Sequence, residues 1–354
     1  DQESEYKRQQ SGIRQGCPLS PYLFTLVMTV MFADIHKDID HKLNGLRTGR
    51  VDGLSYTEIL YADDTLLAVK DTKSANLIIA AIEKESSYYN MKLNKGKCNY
   101  IAMNKKNKIK FQDGTQLKSV DEATYLGGTL TKNVSSKTEI SNRISATMPT
   151  LKQLQIFWKH SNCSIKWRIN VFNAVIVSKL LYGLETLQFP ESINKQLDGF
   201  QTRGLRRILG IPSAFIDRTQ TNVTVREKAN YEVTTEEERR KLIVKVLPLS
   251  EILEKRKLTL LGHIIRTQTY DTEDPMYQVS FERHNMTPRT PIYRRVGKPR
   301  HKWVHENMTK AWNIIRPNIV EEYSTTQHQL DTLKQAAIDR IPPFHERGKK
   351  QPIL

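Results

Sequence analysis

Residues Ile59 to Val69 read ILYADDTLLAV, with two adjacent aspartates, Asp63 and Asp64, inside a segment of strand composition. Like charges side by side repel, and carboxylates are among the groups least often buried. Ile59, Leu60 and Tyr61 on one side and Thr65 to Val69 on the other favour strands, so the pair belongs at the tip of a β-hairpin. A tip fixes both carboxylates near one point in space. That suits a divalent cation with oxygen ligands, Mg²⁺ in particular, and two such ions can clamp the attacking and leaving oxygens of a phosphoryl transfer. Taken alone, Ala62-Asp63-Asp64 also reads as an exposed turn, because Asp is common in turns of every kind.

Outward from this segment the chain alternates helices and short strands. Upstream, GCPLSPYLF offers Ser20 as an N-cap and Pro21 as the first helical residue, with Leu23, Leu26, Val27, Val30, Met31 and Ile35 continuing at helical spacing over about five turns. Downstream, Ser74 to Met91 reads as helix, Asn99 to Met103 as strand, and Ala123 to Leu130 as a second hairpin turning at Gly127-Gly128. Beyond Thr131 the pattern is helical: Lys137 to His160, Ile165 to Leu184, and Ile193 to Leu209, closed by Gly210-Ile211-Pro212. A charge-rich stretch from Asn222 to Lys245 leads to a helix over Leu249 to Arg266, an irregular Pro-containing stretch and a terminal helical pair.

Composition narrows the function classes. At 354 residues and 38% hydrophobic, the chain can bury two or three cores by the usual size of roughly 100 to 200 residues per domain. Lys+Arg 55 against Asp+Glu 38 gives +17, which favours a polyanionic partner, nucleic acid ahead of an anionic membrane. No apolar run reaches the ~18 to 20 residues of a membrane span, and DQESEYKRQQ has no signal-peptide core, so an intracellular protein without a membrane partner is expected. Cys17, Cys98 and Cys163 are odd in number and far apart, which excludes a CxxC zinc site and makes them reduced packing residues. The histidines, among them His160, His263, His284, His301 and His305, form no zinc spacing either.

The segment SGIRQGCPLSPYLF, Ser11 to Phe24, followed by YADD at Tyr61, resembles consecutive palm motifs of reverse transcriptases, most closely those of non-LTR retrotransposons (LINE type). MKLNKGKC at Met91 to Cys98 looks like the next palm motif, and YLGGTL at Tyr125 to Leu130 like the primer-grip hairpin. LLYGLET, LRRILGIP, LLGHIIR and RRVGKPRHKW resemble segments downstream of the palm in the same elements, so the resemblance covers nearly the whole chain. It implies an α+β fold: a partial palm over 1–131, an antiparallel sheet with packed helices, then a helical thumb over 132–215 and a basic helical C-terminal region over 216–354.

The resemblance also implies roles. Asp63 and Asp64 match the paired metal-binding carboxylates, with two Mg²⁺ ions, or Mn²⁺ as the alternative, in a complete enzyme. Arg14, Gln15, Gly16 and Pro18 match the loop near incoming nucleotide and template, and Tyr61 and Ala62 would lie beneath the primer end. Lys97 matches the proposed acid for the pyrophosphate leaving group; it reads equally as an exposed lysine. Tyr125, Leu126, Gly127 and Gly128 match the primer grip. In RRVGKPRHKW, Arg294, Arg295, Lys298 and Arg300 beside Trp303 suit phosphate contact and base stacking. The implied partners are an RNA template, a DNA primer and deoxynucleoside triphosphates, with action in the nucleus.

The family holds its metals with three carboxylates, the third on a strand upstream of the GIRQGCPLSP motif. Asp1, Glu3 and Glu5 sit in a short polar lead, and Asp34 and Asp38 at the far end of the first helix, so none substitutes convincingly. The chain begins at Asp1 without an initiator Met, and a fragment lacking the upstream palm strand and fingers, inactive alone, is expected. A non-catalytic nucleic-acid-binding remnant is the alternative. A group II intron maturase or telomerase-like polymerase shares the palm motifs, but LLGHIIR and RRVGKPRHKW argue against it.

Overall fold

A computed structural model of the chain describes residues 16–43, 58–69, 71–103, 108–132, 136–270, 274–277 and 303–315, with the single positions 12, 14, 280 and 335. They divide into two units, one of 1–125 with 130–133 and the other of 126–129 with 134–354. No helix among the described residues is long and apolar enough to cross a membrane.

The first unit begins with helix α1, Ser20–Leu43, whose 24 residues make about seven turns, longer than the five expected. Its buried stripe is Met28, Met31, Phe32, Ile35 and Ile39, packed on helix α2, Thr72–Tyr88, through Ile78, Ala81 and Ile82. Met31 and Ile35 therefore point inward as expected, whereas Leu23, Leu26, Val27 and Val30 form an exposed stripe with Leu19 and Tyr22. Both stripes are apolar, so periodicity alone does not select the buried one. The α2 side does, because Ala81 and the buried Ser74 and Ser86 keep its surface low. Asp71 caps α2 by accepting the Ser74 amide at 2.8 Å. Tyr89 donates to Asp34 at 2.5 Å, and Lys84 reaches Asp38 at 3.4 Å, fastening the distal parts of the two helices.

Strands β1, Glu58–Tyr61, and β2, Asp64–Leu67, pair antiparallel in the register Glu58↔Leu67 to Tyr61↔Asp64. β3, Asn99–Tyr100, pairs in parallel with β4, Lys118–Ser119, and β5, Glu122–Tyr125, pairs with β6, Gly128–Thr131. The described strands thus form three separate pairs in place of the one antiparallel sheet expected. Strands of two to four residues carry few ladder bonds, and the packing comes from helices instead. The expected strand over Asn99 to Met103 shortens to its first two residues, and the bridge Lys110↔Gln116 with buried Ile109 and Phe111 adds a small core that the sequence pattern did not suggest.

The second unit is helical. The stretch Lys137 to His160 is two helices, α3, Ser136–Gln153, and α4, Gln155–His160, broken where the buried Trp158 indole donates to the Leu151 carbonyl at 3.2 Å. Next come α5, Ile165–Val171, a π-helical turn, Phe172–Val177, and α6, Ser178–Leu181. Gly183, left-handed at φ 71, precedes the 3-10 turn Leu184–Thr186. α7, Glu191–Leu209, ends at Gly210, left-handed at φ 67, as its sequence requires. α8, Asn222–Val233, α9, Glu236–Arg240, and α10, Leu249–Tyr270, follow; Asp198 accepts the amide and hydroxyl of Ser250 at the α10 start, at 2.9 and 2.7 Å. One core runs from Ile140 to Leu253 and includes Val225, Ala229 and Val233, so packing continues across position 215. A three-residue turn, α11, Pro275–Tyr277, and α12, Trp303–Ile315, complete it; Val304 and Met308 of α12 pack on Leu261, Ile264 and Ile265 of α10.

Two substitutions test this packing. A methyl added at Gly204 on α7 would land on the Phe172 ring, which is fully buried, well inside van der Waals contact. Gly204→Ala should therefore lower unfolding free energy by about 1–3 kcal/mol in urea titration. Lys257 on α10 is 7% exposed, donates to Gln188 Oε1 at 3.1 Å and lies 4.9 Å over the Phe189 ring. Burial, with the Lys310 charge, lowers its pKa from 10.5 to about 8 against the pull of Glu306 and Glu254. The unfolded state then holds this proton more tightly than the folded one, so the penalty is complete below about pH 8 and fades as pH rises toward the unfolded value. The urea midpoint should climb over that window in the wild type and climb less in Lys257→Met.

Candidate active site

The aspartates occupy the hairpin tip that their repulsion demands. Ala62 and Asp63 form the two-residue turn, Asp64 opens β2 opposite Tyr61, and all four side chains are exposed. Ala62 takes φ 50, a left-handed conformation that an L residue adopts at a cost of about 1–2 kcal/mol. Below the tip, His36 Nε2 of α1 lies 2.5 Å from Glu58 Oε1, and Leu67 and Val69 pack against the α1–α2 core. Each strand thus has one anchored end and one end held out to solvent. Tyr125 joins the same hairpin: its hydroxyl donates to the Ile59 carbonyl at 3.2 Å. Burial, and next the charge of Asp64, hold its phenol above the usual range. The structure therefore brings together Tyr61, Ala62, Asp63, Asp64 and Tyr125.

Gly16 and Pro18 lie in the turn leading into α1. Gly16 has φ 84, and a Cβ added there would meet nothing within 4 Å, so its backbone is open to close approach. The turn is closed by the Cys17 amide on the Arg14 carbonyl at 3.3 Å and by the Ser20 hydroxyl on the same carbonyl at 2.8 Å. Ser20, expected as a cap acceptor, acts as a donor. Amides of Leu19 and Ser20 lower the pKa of the Cys17 thiol. Arg14 is exposed, and Gln15 lies outside the described residues. All three cysteines are free thiols.

Lys97 is exposed in the turn before β3, its amide bonded to the Asn94 carbonyl at 3.0 Å. Its neighbour is the committed one: Lys95 bridges Glu83 at 2.8 Å and Asp113 at 2.7 Å, and lies 4.9 Å over the Phe111 ring. NKGK alone does not separate a lysine held by carboxylates from one left to solvent. The carboxylates lie 12 and 18 residues away, and only folding brings them in.

The second hairpin turns one residue earlier than expected, at Leu126 and Gly127, with φ 47 and φ 76, and Gly128 already belongs to β6. Positive φ at both central residues is the turn that matches strand twist. Sequence reasoning missed what holds this turn. Glu139 of α3 is buried and accepts the Thr129 amide at 2.8 Å and Arg143 Nε at 2.6 Å; Arg143 lies 5.6 Å over the Tyr182 ring, which abuts Gly127. Burial alone would raise the Glu139 pKa, but Thr129 and Arg143 outweigh it and hold the carboxyl below its usual range. The usable signal was a Glu and an Arg four residues apart, opposite a glycine turn.

Of the basic C-terminal segment, Arg294, Arg295, Lys298 and Arg300 lie outside the described residues. Trp303 is half-buried at the start of α12; its indole donates to the Glu185 carbonyl at 2.7 Å and its ring packs beside Val304 and Met308. Gln188 bonds Glu306, and Lys310 pairs with Glu254 at 3.0 Å. In this structure Trp303 anchors α12.

Two adjacent exposed carboxylates supply the oxygen donors that Mg²⁺ takes. Among the described residues no group of three or more His, Cys, Asp or Glu comes together. Asp34 and Asp38 are engaged at α2: the Tyr89 hydroxyl lowers the Asp34 pKa, and for Asp38 burial is outweighed by Lys84 and Lys42. Asp1, Glu3 and Glu5 lie outside the described residues.

Removing the Tyr125 hydroxyl tests whether it steadies the aspartate hairpin. Tyr125→Phe leaves the Ile59 carbonyl without this donor, a loss of about 1 kcal/mol. Amide exchange over Glu58 to Leu67, followed by mass spectrometry, should quicken about fivefold; unchanged exchange would show that the bond does not hold the hairpin.

Two matches with known proteins bear on this site. Residues 1–130 match the family model of the reverse transcriptase (RNA-dependent DNA polymerase) domain, which spans the aspartate hairpin, the Gly16 turn and most of β6. The chain is also 24% identical over 225 residues to an uncharacterized transposon-derived protein of Caenorhabditis elegans, covering 61% of this chain and 74% of that protein. Residues 1–130, which carry the aspartate hairpin, are thus similar to a reverse transcriptase domain.

Proposed function

We propose that this chain is a non-LTR retrotransposon reverse transcriptase, an RNA-directed DNA polymerase that extends a primer 3′ end on an RNA template in the nucleus. Residues 1–131 are read as palm, 132–215 as the thumb and 216–354 as a basic C-terminal region. The observation that carries this reading is the pair Asp63 and Asp64 at an exposed two-residue hairpin tip within the matched segment. Asp63, with Asp64 beside it, would hold Mg²⁺, which when bound offsets charge on the phosphates. In the reaction the primer 3′ hydroxyl loses its proton to water, its oxygen forms a bond to the α-phosphorus of the nucleotide, the α–β bridge breaks, and pyrophosphate leaves. Lys97 gives the leaving group its proton, a role suited to an exposed ammonium. The open backbone at Gly16 lets nucleotide and template approach, and Tyr125 and the Leu126-Gly127 turn position the primer.

The exposed stripe of Leu19, Tyr22, Leu23, Leu26, Val27 and Val30 is the kind of surface that another element covers. We read its cover as a further palm strand, which in this reading brings the third carboxylate. Among the described residues Asp63 and Asp64 have no such third partner, which favours, as a second reading, a chain that binds nucleic acid without catalysis.

Primer extension on an RNA template with Mg²⁺ separates the two. The catalytic reading expects extension that Asp63→Asn abolishes while template–primer binding persists. A chain that binds template–primer and extends nothing, with or without Asp63→Asn, supports the second reading.

A further inference from the structure

The loop between α7 and α8 is built to hold an aromatic side chain out in solvent. Arg206, buried in the last turn of α7, donates to the Pro212 carbonyl at 2.6 Å and the Gln220 carbonyl at 2.5 Å, so one guanidinium ties both feet of the loop. Between the feet, the Ser213 carbonyl accepts the amides of Ile216 and Asp217 at 2.9 and 3.1 Å. The Asp217 carboxylate accepts the amide and hydroxyl of Thr219 at 3.0 and 2.6 Å, and Lys228 reaches Gln220 Oε1 at 2.9 Å. The backbone is thus set by internal bonds, and its tip presents Phe215 at 97% exposure and Ile216 at 76%. A free loop would fold a phenylalanine back onto apolar surface; this one is clamped with the ring outward.

The charge around the tip points to its occupant. Residues 203–228 contain Arg203, Arg206, Arg207, Arg218, Arg226 and Lys228 against Asp217 and Glu227. Arg206, Asp217 and Lys228 are used inside the loop, while Arg203 and Arg218 are exposed. An outward aromatic ring three residues from the exposed Arg218, in a segment with this cationic surplus, suits a polyanion with flat apolar faces to stack on, which is single-stranded nucleic acid.

We propose that Phe215, flanked by Ile216 and Arg218, is a stacking knuckle that takes an unpaired base of single-stranded nucleic acid. This rests on the reading that the chain works on nucleic acid, and adds a contact outside the aspartate hairpin. The test is fluorescence anisotropy of a labelled single-stranded oligoribonucleotide with the full chain over a range of salt. Phe215→Ala should weaken binding on the order of tenfold with the salt slope unchanged, because stacking releases no counterions. Phe215→Trp should bind as the wild type does. Arg218→Ala should reduce the log–log salt slope by about 0.7, the loss of one phosphate contact. If the wild type binds and Phe215→Ala binds equally well, the knuckle is wrong and the nucleic-acid reading stands. If Phe215→Ala leaves binding intact but abolishes self-association seen by sedimentation, the tip meets protein and the proposal fails. If the wild type does not bind, the nucleic-acid reading falls and the knuckle with it.

Discussion

Two carboxylates on adjacent residues repel each other, and an apolar core can take neither without a partner. The segment Ile59 to Val69 satisfies that constraint by turning between Tyr61 and Asp64, so that Asp63 lies in the turn and Asp64 opens the returning strand. Much of the first unit follows. The register that pairs Tyr61 with Asp64 also pairs Glu58 with Leu67, which sets Glu58 beside His36 and Leu67 against the α1–α2 core. Ala62 accepts a left-handed conformation in consequence, strain held in place by a strand ladder on either side.

Arginines act as fasteners in the second unit. Arg168 donates to the carbonyls of Trp158, Ser161 and Cys163, at 2.8, 2.9 and 3.1 Å, closing the loop between α4 and α5. Arg206 does the same for the loop after α7, and Arg239 for the end of α8 through the carbonyls of Tyr231 and Thr234. A guanidinium offers five donors in a fixed fork, which satisfies several orphan carbonyls at once. Some of the positive surplus is therefore structural, and the charge total overstates the cationic surface open to a polyanion.

The turns that bear the candidate residues take left-handed backbone, as do Asn90 and Leu242 elsewhere in the chain. Gly16, Ala62, Leu126 and Gly127 all take positive φ, and two of the four are not glycine. The Leu126-Gly127 turn is stabilised from outside itself, by Glu139 on the Thr129 amide and by the Tyr182 ring against Gly127. Local preference alone would not choose Leu for a left-handed position; the buried carboxylate that accepts the Thr129 amide supports the turn from within its own unit.

The amino-acid sequence by itself determined the elements whose signals are local. Charge repulsion and strand composition located the hairpin at Asp63 and Asp64, Gly210 ended α7, and the resemblance to reverse transcriptases agrees with the family match over 1–130. Tertiary structure decided whatever depends on a distant partner. α1 carries two apolar stripes, and α2 with its small residues selected Met28, Phe32 and Ile39 over Leu23, Leu26 and Val27. Lys95 rather than Lys97 was bound by carboxylates, because Glu83 and Asp113 arrive from elsewhere in the chain. Trp303, expected to stack on bases, also has its indole N–H bonded to the Glu185 carbonyl 118 residues away. Periodicity records which side chains can be buried, and only the shape and polar groups of the surface that arrives decide which of them are.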